Sequence, residues 1–146
     1  MTPDADTIAL LRTQYTQCFG CGLDNAAGLR LDGFQVDGNE VSAPFNASSH
    51  FAGFEGVLHG GVVATALDEI SAWSAMLTEG VFVFTAKLDI RYRRQAEVGA
   101  DFSLIGRVKE RRGKRLSIEA RLEANDVVIA ESTGLFVVAK RLSDLR

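Results

Sequence analysis

One segment of this sequence, residues 60–78, has a helical pattern with apolar side chains on nearly every face. The pattern predicts a long helix, and Gly80 predicts its end because glycine readily adopts the left-handed conformation that closes helices. The apolar side chains are Val62, Val63, Ala66, Leu67, Ile70, Trp73 and Met76. A helix that is apolar on all sides is buried on all sides. We therefore expect the rest of the chain to wrap around this helix.

The other periodic segments predict strands. The first strand is expected to begin at Leu29 and to return, after the turn Asp37-Gly38-Asn39, through residues 41–45 as a hairpin. Four alternating segments follow the helix, at residues 81–92, 102–108, 116–122 and 127–138. Short connections between consecutive strands favour an antiparallel sheet. The sequence thus predicts a single α+β domain over residues 1–146, with one long central helix wrapped by a curved antiparallel sheet of five to six strands.

Length and charge exclude several classes of protein. The chain has 146 residues and a net charge of −3, without the large positive excess of a nucleic-acid-binding protein. The most apolar stretch, residues 56–77, is nearly long enough to cross a bilayer, but Asp68 and Glu69 would be costly in lipid. The acidic N-terminus lacks the pattern of a signal peptide. We expect a cytoplasmic protein with neither nucleic acid nor membrane as a partner.

Residues 1–27 predict an N-terminal extension of helix and loop. Residues 3–17 favour a short helix with Thr2 as its N-cap, and a glycine-rich loop with Cys18 and Cys21 follows. The two cysteines have the spacing of half a zinc site, but four ligands are needed and only His50 and His59 come into question as further ligands. Packing or the lining of a ligand pocket is the simpler interpretation, so no metal is predicted.

The segment His59-Gly60-Gly61 lies at the predicted N-terminus of the central helix. The first N–H groups of a helix lack partners and lie at the positive end of its dipole. Glycine lets a ligand approach this backbone closely, and such a site can hold a carbonyl oxygen as it becomes an oxyanion. Further along the same helix, Asp68 is a carboxylate in apolar surroundings, where it is costly without a partner. These two features indicate a catalytic or binding site.

The same segment resembles a known family. His59-Gly60-Gly61 followed by Asp68, nine residues after the histidine, is similar to the acyl-coenzyme A thioesterases of the hot-dog superfamily, of the phenylacetyl-CoA and 4-hydroxybenzoyl-CoA type. Residues 85–92 are similar to the strand after the helix in that family, and the Cys18-Phe19-Gly20-Cys21-Gly22 segment is similar to the opening of many bacterial members. The resemblance covers residues 18–140 and implies a hot-dog fold and hydrolysis of acyl-CoA to free acid and coenzyme A.

The resemblance also implies a role for each residue of the site. The Gly60 N–H is expected to polarise the thioester carbonyl, and His59 to position the thioester. Asp68 from a second subunit is expected to act as general base or nucleophile, with Thr85 orienting the attacking water. The candidate substrate-binding residues are Gly61, Glu55, Arg91 and Arg93. The family implies a homodimer, often paired into a homotetramer, and no cofactor.

Several alternatives stay open at these positions. His59 has an alternative role as a helix cap, Asp68 as a subunit contact and Thr85 as an ordinary strand residue. Glu69 is expected to be structural or to face the rim of the site. The arginines, together with the basic turn at residues 111–115, either bind coenzyme A phosphates or are simply solvated. The side chains that either line an acyl pocket or belong to the core are Trp73, Met76, Phe82 and Phe84.

One position departs from the family pattern. Members often carry Asn or Gln about six residues before the histidine, where this chain has Gly53. Either Glu55 supplies the polar group or water is held differently. The departure favours, as an alternative function, a non-catalytic acyl-CoA-binding protein of the same fold.

Two further functions are weighed against hydrolysis, a hot-dog dehydratase or hydratase and a purely structural oligomer. His50-Phe51 is similar to the start of the dehydratase motif. That motif needs a Glu fourteen residues after the histidine, where this chain has Ala64. His50 is therefore interpreted as a loop residue.

Overall fold

The structure, a computed structural model, describes residues 5–145 of the chain. In chain order, its elements are α1 (Ala5–Gln14), β1 (Gln35–Asp37), β2 (Glu40–Asn46), α2 (Gly60–Glu79), β3 (Val81–Tyr92), β4 (Asp101–Arg112), β5 (Arg115–Ala124) and β6 (Val127–Arg141), with short 3-10 turns at Ser49–Phe51 and Leu142–Leu145. Helix α1 corresponds to the helix predicted at residues 3–17 and ends earlier. The predicted start of that helix and its cap, Thr2, lie outside the described residues.

The six strands form one antiparallel sheet in the order β1-β2-β4-β5-β6-β3. Helix α2 packs against β2, β3, β4, β5 and β6. Where α2 packs on β4, a Cβ on Gly106 would lie 3.0 Å from the carbonyl oxygen of Ile70, so glycine at this position allows the two backbones to pack closely. The predicted arrangement of one central helix wrapped by an antiparallel sheet is confirmed.

The buried face of α2 forms the centre of the core. Leu67, Ile70 and Trp73 are at most 2% exposed, and burying a large apolar side chain of this kind stabilises a fold by about 1.5–3 kcal/mol. The buried hydroxyls of Ser71 and Ser74 donate to carbonyl oxygens one turn earlier in the helix, at 2.8 and 2.7 Å. Among the described residues, neither helix has the length and apolarity needed to cross a membrane.

The ends of α2 agree closely with the sequence prediction. The helix runs from Gly60 to Glu79, and Gly80 closes it in the left-handed conformation with φ of 65°. One flank of the helix, which carries Asp68 and Glu69, is only partly buried within the single chain. Burial on all sides, as predicted from the apolar pattern, therefore holds except along this flank.

The first hairpin is shorter than predicted, because β1 begins at Gln35 and not at Leu29. Leu29 and Leu31 are buried, and their N–H groups donate to the carbonyl oxygens of Phe19 and Gly20 at 2.8 and 3.0 Å. These hydrogen bonds hold the loop that carries Cys18 and Cys21, called the cysteine loop below, against the domain. The N–H groups that form them are not available to a sheet. The apolar alternation of this segment thus reflects core packing without strand pairing.

Strand β3 contains an irregularity that the sequence alternation does not reveal. Thr85 pairs with Phe136 of β6, while Lys87 pairs with the adjacent Leu135, so the register shifts between them. Such a β-bulge reverses the alternation of faces. The alternation predicts Thr85 on the face of Lys87, which is wrong. The Thr85 side chain faces α2, where it contacts Asp68.

Candidate active site

The N-terminus of α2 presents one free backbone donor. The Gly61 N–H donates to Nδ1 of His59 at 2.8 Å, and the N–H groups of Val62 and Val63 donate to the His59 carbonyl. The Gly60 N–H has no acceptor within the described part of the chain. Gly60 is therefore the donor that the helix offers to a ligand, at the positive end of its dipole.

Of the two roles that the sequence leaves open for His59, the structure shows the helix cap. It is the N-cap of α2, with φ of −59° and ψ of 135°, and its side chain is exposed. Because Nδ1 accepts the Gly61 N–H, the neutral ring carries its proton on Nε2, which is free to donate to a ligand. Nearby, the Tyr92 hydroxyl donates to the Gly60 carbonyl at 2.6 Å. This bond fixes the end of β3 beside the start of α2.

The loop before His59 folds back upon it. The Gly53 N–H donates to the Val57 carbonyl, and the His59 N–H to the Phe51 carbonyl, both at 2.8 Å. A Cβ at position 53 would lie 3.0 Å from the His59 Cα, so a larger residue would require the loop to shift. Glu55 is exposed in this loop and makes no hydrogen bond or ion pair with the rest of the described chain. The glycine at position 53 therefore has a local packing reason.

Asp68 is oriented by a contact that joins α2 to β3. The Thr85 hydroxyl donates to Oδ1 of Asp68 at 2.6 Å. The carboxylate lies on the open flank of α2, and its neighbours one turn away are the small residues Ala64 and Ala72. No donor among residues 5–145 contacts Oδ2 of Asp68. The result is a fixed carboxylate with one oxygen open to a ligand.

Gly60 and Asp68 are too far apart on one helix to act on the same bond. Eight residues of α-helix separate them by about 12 Å along the axis. Reacting groups must come within about 3–3.5 Å of each other. Within a single chain, the Gly60 N–H and the Asp68 carboxylate therefore cannot act on the same bond.

The predicted phosphate-binding arginines lie at opposite ends of α2. Arg91 and Arg93 flank Tyr92 and so lie near the Gly60 end, where Arg93 pairs with Glu131 at 2.6 Å. The basic turn at residues 111–115 lies at the other end of the helix, since Arg111 pairs with Glu79 at 3.2 Å. Only the first group is close to the free Gly60 donor.

An apolar cavity of about 490 Å³ lies between α1, α2 and β3. Its wall includes Trp73, Met76, Phe82 and Phe84, the side chains for which the sequence allows either a pocket or a core role. The structure brings all four to the cavity, although Trp73 and Met76 are also core residues. The same wall carries Glu69, the neighbour of Asp68.

Glu69 turns towards the two cysteines of the N-terminal loop. The Cys18 thiol donates to Oε1 of Glu69 at 3.6 Å. Burial raises the pKa of Glu69 to about 7. The hydrogen bond from the Cys21 side chain lowers the pKa of Cys18 to about 5, and the same bond holds the pKa of Cys21 well above its usual range. The sequence analysis did not predict the contact between Glu69 and Cys18. The signal that could have indicated it is a second carboxylate, beside Asp68, in a largely apolar helix.

Comparison with known families places this geometry in context. The sequence profile of the thioesterase superfamily matches residues 55–131, more than half of the chain, including Gly60, Asp68 and Thr85. The chain belongs to the thioesterase superfamily. The cysteine loop lies before the matched region of this superfamily chain.

Curated relatives of this superfamily member align with it over most of the described domain. Acyl-coenzyme A thioesterase THEM4 from Mus musculus is 26% identical over 126 residues, which cover 85% of this chain and 53% of THEM4. THEM4 from Bos taurus is 26% identical over 129 residues, which cover 86% of this chain and 53% of that protein. The chain thus spans about half the length of the curated relatives that it matches.

Solved structures share the fold. A thioesterase superfamily protein superposes with a TM-score of 0.74 and 26% identity, covering 84% of this chain and 60% of that chain. Zebra fish thioesterase superfamily member 2 superposes with a TM-score of 0.72 and 20% identity, covering 93% of this chain and 98% of that chain. A hypothetical thioesterase protein from Streptococcus pneumoniae TIGR4, solved with coenzyme A, superposes with a TM-score of 0.68 and 14% identity, covering 75% of this chain and 91% of that chain. The predicted hot-dog fold is confirmed.

Proposed function

We propose that this thioesterase-superfamily chain hydrolyses acyl-coenzyme A to free acid and coenzyme A at a site shared by two subunits of a homodimer. The Gly60 N–H of one subunit binds the thioester carbonyl oxygen, and Asp68 of the other subunit acts as general base or nucleophile. The observation that carries this proposal is the separation, by about 12 Å of helix, of a free backbone donor from an oriented carboxylate. The THEM4 relatives, which are acyl-CoA thioesterases, support the substrate class.

The proposed reaction begins with the thioester carbonyl against the N-terminus of α2. As water attacks the carbonyl carbon, the oxygen gains negative charge, which the Gly60 N–H and the helix dipole stabilise. Asp68 takes a proton from this water, or attacks the carbon itself to give an anhydride that water then hydrolyses. The C–S bond breaks, and coenzyme A leaves as a thiolate that takes up a proton. Thr85 holds one Asp68 oxygen so that the other faces the substrate.

The free edge of β3 supports this mode of association. β3 is 12 residues long and forms an edge of the sheet, and unpaired edges readily pair with another chain. If two β3 strands pair antiparallel with Asp89 of one subunit opposite Asp89 of the other, the extra residue of the bulge brings Thr85 of each subunit opposite Tyr92 of the other. Thr85 contacts Asp68 and Tyr92 contacts Gly60, so the pairing joins the two half-sites. Two-fold symmetry creates two complete sites, and the family implies that two such dimers form a homotetramer.

The substrate contacts proposed here follow from the same arrangement. Arg91 and Arg93, beside Tyr92, supply positive charge for the phosphates of coenzyme A. Gly61 leaves the helix N-terminus uncovered, and Glu55 lies exposed in the adjacent loop. The acyl group enters the 490 Å³ apolar cavity of the subunit that contributes Asp68. Coenzyme A in the Streptococcus pneumoniae neighbour supports a carrier of this kind.

The experiment that tests the proposal is thiol release from a panel of acyl-CoA esters with short, medium and long aliphatic, phenylacetyl and hydroxybenzoyl groups. We expect turnover of at least one class and a loss of about 10²–10⁴-fold in kcat for Asp68→Asn, the range typical of a missing acid–base group. Asp126→Asn, in the turn between β5 and β6, is the matched control and should keep full activity. Wild-type kcat in Asp68→Asn, with the fold intact, would remove Asp68 from the mechanism.

Gly53 favours a second candidate, a non-catalytic acyl-CoA-binding protein. The side chain that family members often carry at this position would come within contact distance of His59 here, so the chain lacks one polar group near the site. Measurable acyl-CoA binding by calorimetry without thiol release from any ester would support this second function. A dehydratase is not favoured, because His50 is exposed in a 3-10 turn beside Ser48 and Ala64 replaces the required Glu.

A further inference from the structure

The cysteine loop and α2 bring three potential metal ligands together on one wall of the apolar cavity. The Sγ atoms of Cys18 and Cys21 and a carboxylate oxygen of Glu69 all lie within 4.8 Å of one another. We propose that these three side chains bind a zinc ion whose fourth position, occupied by water, faces the cavity. The ion would lie on the wall of the cavity that receives the acyl group in the proposed function, but its binding requires neither Gly60 nor Asp68 and can be tested without hydrolysis.

The distances between the ligand atoms fit zinc coordination. Zinc bonds to sulfur are about 2.3 Å and to carboxylate oxygen about 2.0–2.2 Å, so tetrahedral ligand atoms lie about 3.5–3.8 Å apart. The Cys18 Sγ and Glu69 Oε1 atoms are 3.6 Å apart. Two thiolates and one carboxylate with an open position form a ligand set that suits zinc. The distance between Cys18 and Glu69 therefore already matches that between two ligands of one zinc ion.

The backbone of the cysteine loop is shaped to hold its sulfurs in place. The Gly22 N–H closes the turn on the Cys18 carbonyl at 2.8 Å. A Cβ on Gly20 would collide with the Glu69 carboxylate, and a Cβ on Gly22 would collide with the loop backbone. The glycines thus allow the loop to press both cysteines against Glu69.

The negative charge of the Glu69 carboxylate also favours a bound cation at the cluster. Glu69 is partly buried and forms no ion pair with any Lys, Arg or His of the described chain. Arg12, which lines the same cavity, pairs with Asp32 at 3.3 Å. Partial burial of a carboxylate without a positively charged partner is costly, and a bound divalent cation would offset this cost. The site thereby explains why Glu69 stands in an otherwise apolar helix.

This ligand set corrects the sequence-based view of the cysteines. In the sequence analysis, His50 and His59 are the only further candidate ligands. A zinc site that included His59 would make this histidine unavailable to the proposed active site. In the structure His59 caps α2 and His50 contacts Ser48, so neither joins the cluster. Glu69 takes the third position, and the proposed zinc site leaves His59 free.

Cobalt substitution of the full chain tests the proposal. Reduced protein is stripped with a chelator, titrated with Co²⁺ and then with Zn²⁺, and metal content is measured after dialysis. We expect one ion per chain, with thiolate-to-cobalt charge-transfer bands and the intense visible bands of tetrahedral cobalt, displaced by zinc. Cys18→Ser and Cys21→Ser should each abolish the tetrahedral spectrum, and Glu69→Gln should weaken Co²⁺ binding at least ten-fold. His50→Ala is the matched control and should bind as wild type does.

A second measurement uses only the wild-type protein, so it tests the proposal even if the variants fail to fold. In the wild-type protein, Zn²⁺ should protect Cys18 and Cys21 together from alkylation by iodoacetamide, at one equivalent. The proposal is overturned if the stripped, reduced protein takes up no stoichiometric Co²⁺ or Zn²⁺, or if the folded cysteine variants bind either ion as tightly as wild type. A Cys18–Cys21 disulfide in the purified protein that gives no metal uptake after reduction would likewise contradict it.

Discussion

At the scale of single residues, the orientation of Asp68 depends on one hydrogen bond and one strand irregularity. Thr85 reaches the carboxylate only because the bulge in β3 turns its side chain towards α2. A regular strand would direct Thr85 away from the helix. The bulge thus has a direct consequence for the proposed chemistry, because it fixes which oxygen of Asp68 is held and which is open.

Replacement of Thr85 by valine tests this bond with little change in shape. We expect Thr85→Val to lower kcat for acyl-CoA hydrolysis about ten-fold or more, since a hydrogen bond to a charged group is worth about 1.5–3 kcal/mol. Thr85→Ser keeps the hydroxyl and should retain most of the activity. Steady-state thiol release measures both variants. Equal rates for the valine and serine variants would show that the bond has no part in the reaction.

Replacement of Glu69 by glutamine tests its environment in metal-free, reduced protein. Because burial raises the pKa of Glu69 from 4.5 to about 7, its stabilising contribution is present below pH 4.5 and lost as the pH rises through 7. Glu69→Gln should therefore unfold like wild type near pH 4 but be about 1–3 kcal/mol more stable at pH 8. Urea unfolding at both pH values measures this difference. A stability difference that does not change with pH would contradict the assigned environment.

At the scale of elements, the N-terminus of α2 is the feature that the sequence predicts best. The cap, the free glycine N–H and the closing Gly80 follow from local rules, since each depends on residues next to one another in the chain. The boundaries of β3 are likewise as predicted. Local chemistry is therefore enough to place the proposed oxyanion site.

The contacts that the sequence did not predict are those between distant elements. The bulge in β3 depends on its register with β6, and Leu29 and Leu31 follow the cysteine loop instead of the sheet. The contact of Glu69 with Cys18 joins residues 51 positions apart. Periodicity within a segment carries no information about such pairings. The sequence therefore named the residues of the proposed active site, but it predicted neither the contact of Thr85 with Asp68 nor the environment of Glu69.

A matched pair of substitutions tests the proposed oxyanion donor of α2. Gly60 is the first residue of the helix, where proline is tolerated, and His59 before it already has the extended backbone that precedes proline. Gly60→Pro removes the N–H and should lower kcat about 10²-fold or more. Gly60→Ala keeps the N–H, and its Cβ would lie 3.7 Å from the Tyr92 hydroxyl, an ordinary contact. If the alanine variant loses as much activity as the proline variant, crowding and not the lost donor explains the effect.

At the scale of the whole molecule, one chain carries the two halves of the proposed site at separate places. The halves are separated by the length of the helix between Gly60 and Asp68, and both border the edge strand β3. The exposed side chains of Phe84 and Tyr92 on this strand are 70% and 51% accessible in the single chain. Pairing of two chains along β3 would cover this apolar surface and complete both sites.

Subunit complementation tests this central claim most directly. Asp68→Asn and Gly60→Pro chains are each inactive in the proposal, but a dimer with one of each contains one complete site. When equimolar variants are unfolded together and refolded, thiol release should return to about a quarter of the wild-type rate, because half of the dimers are mixed and each has one working site. Each variant refolded alone should stay inactive. A mixture as inactive as its components, with mixed dimers present, would contradict a site shared between subunits.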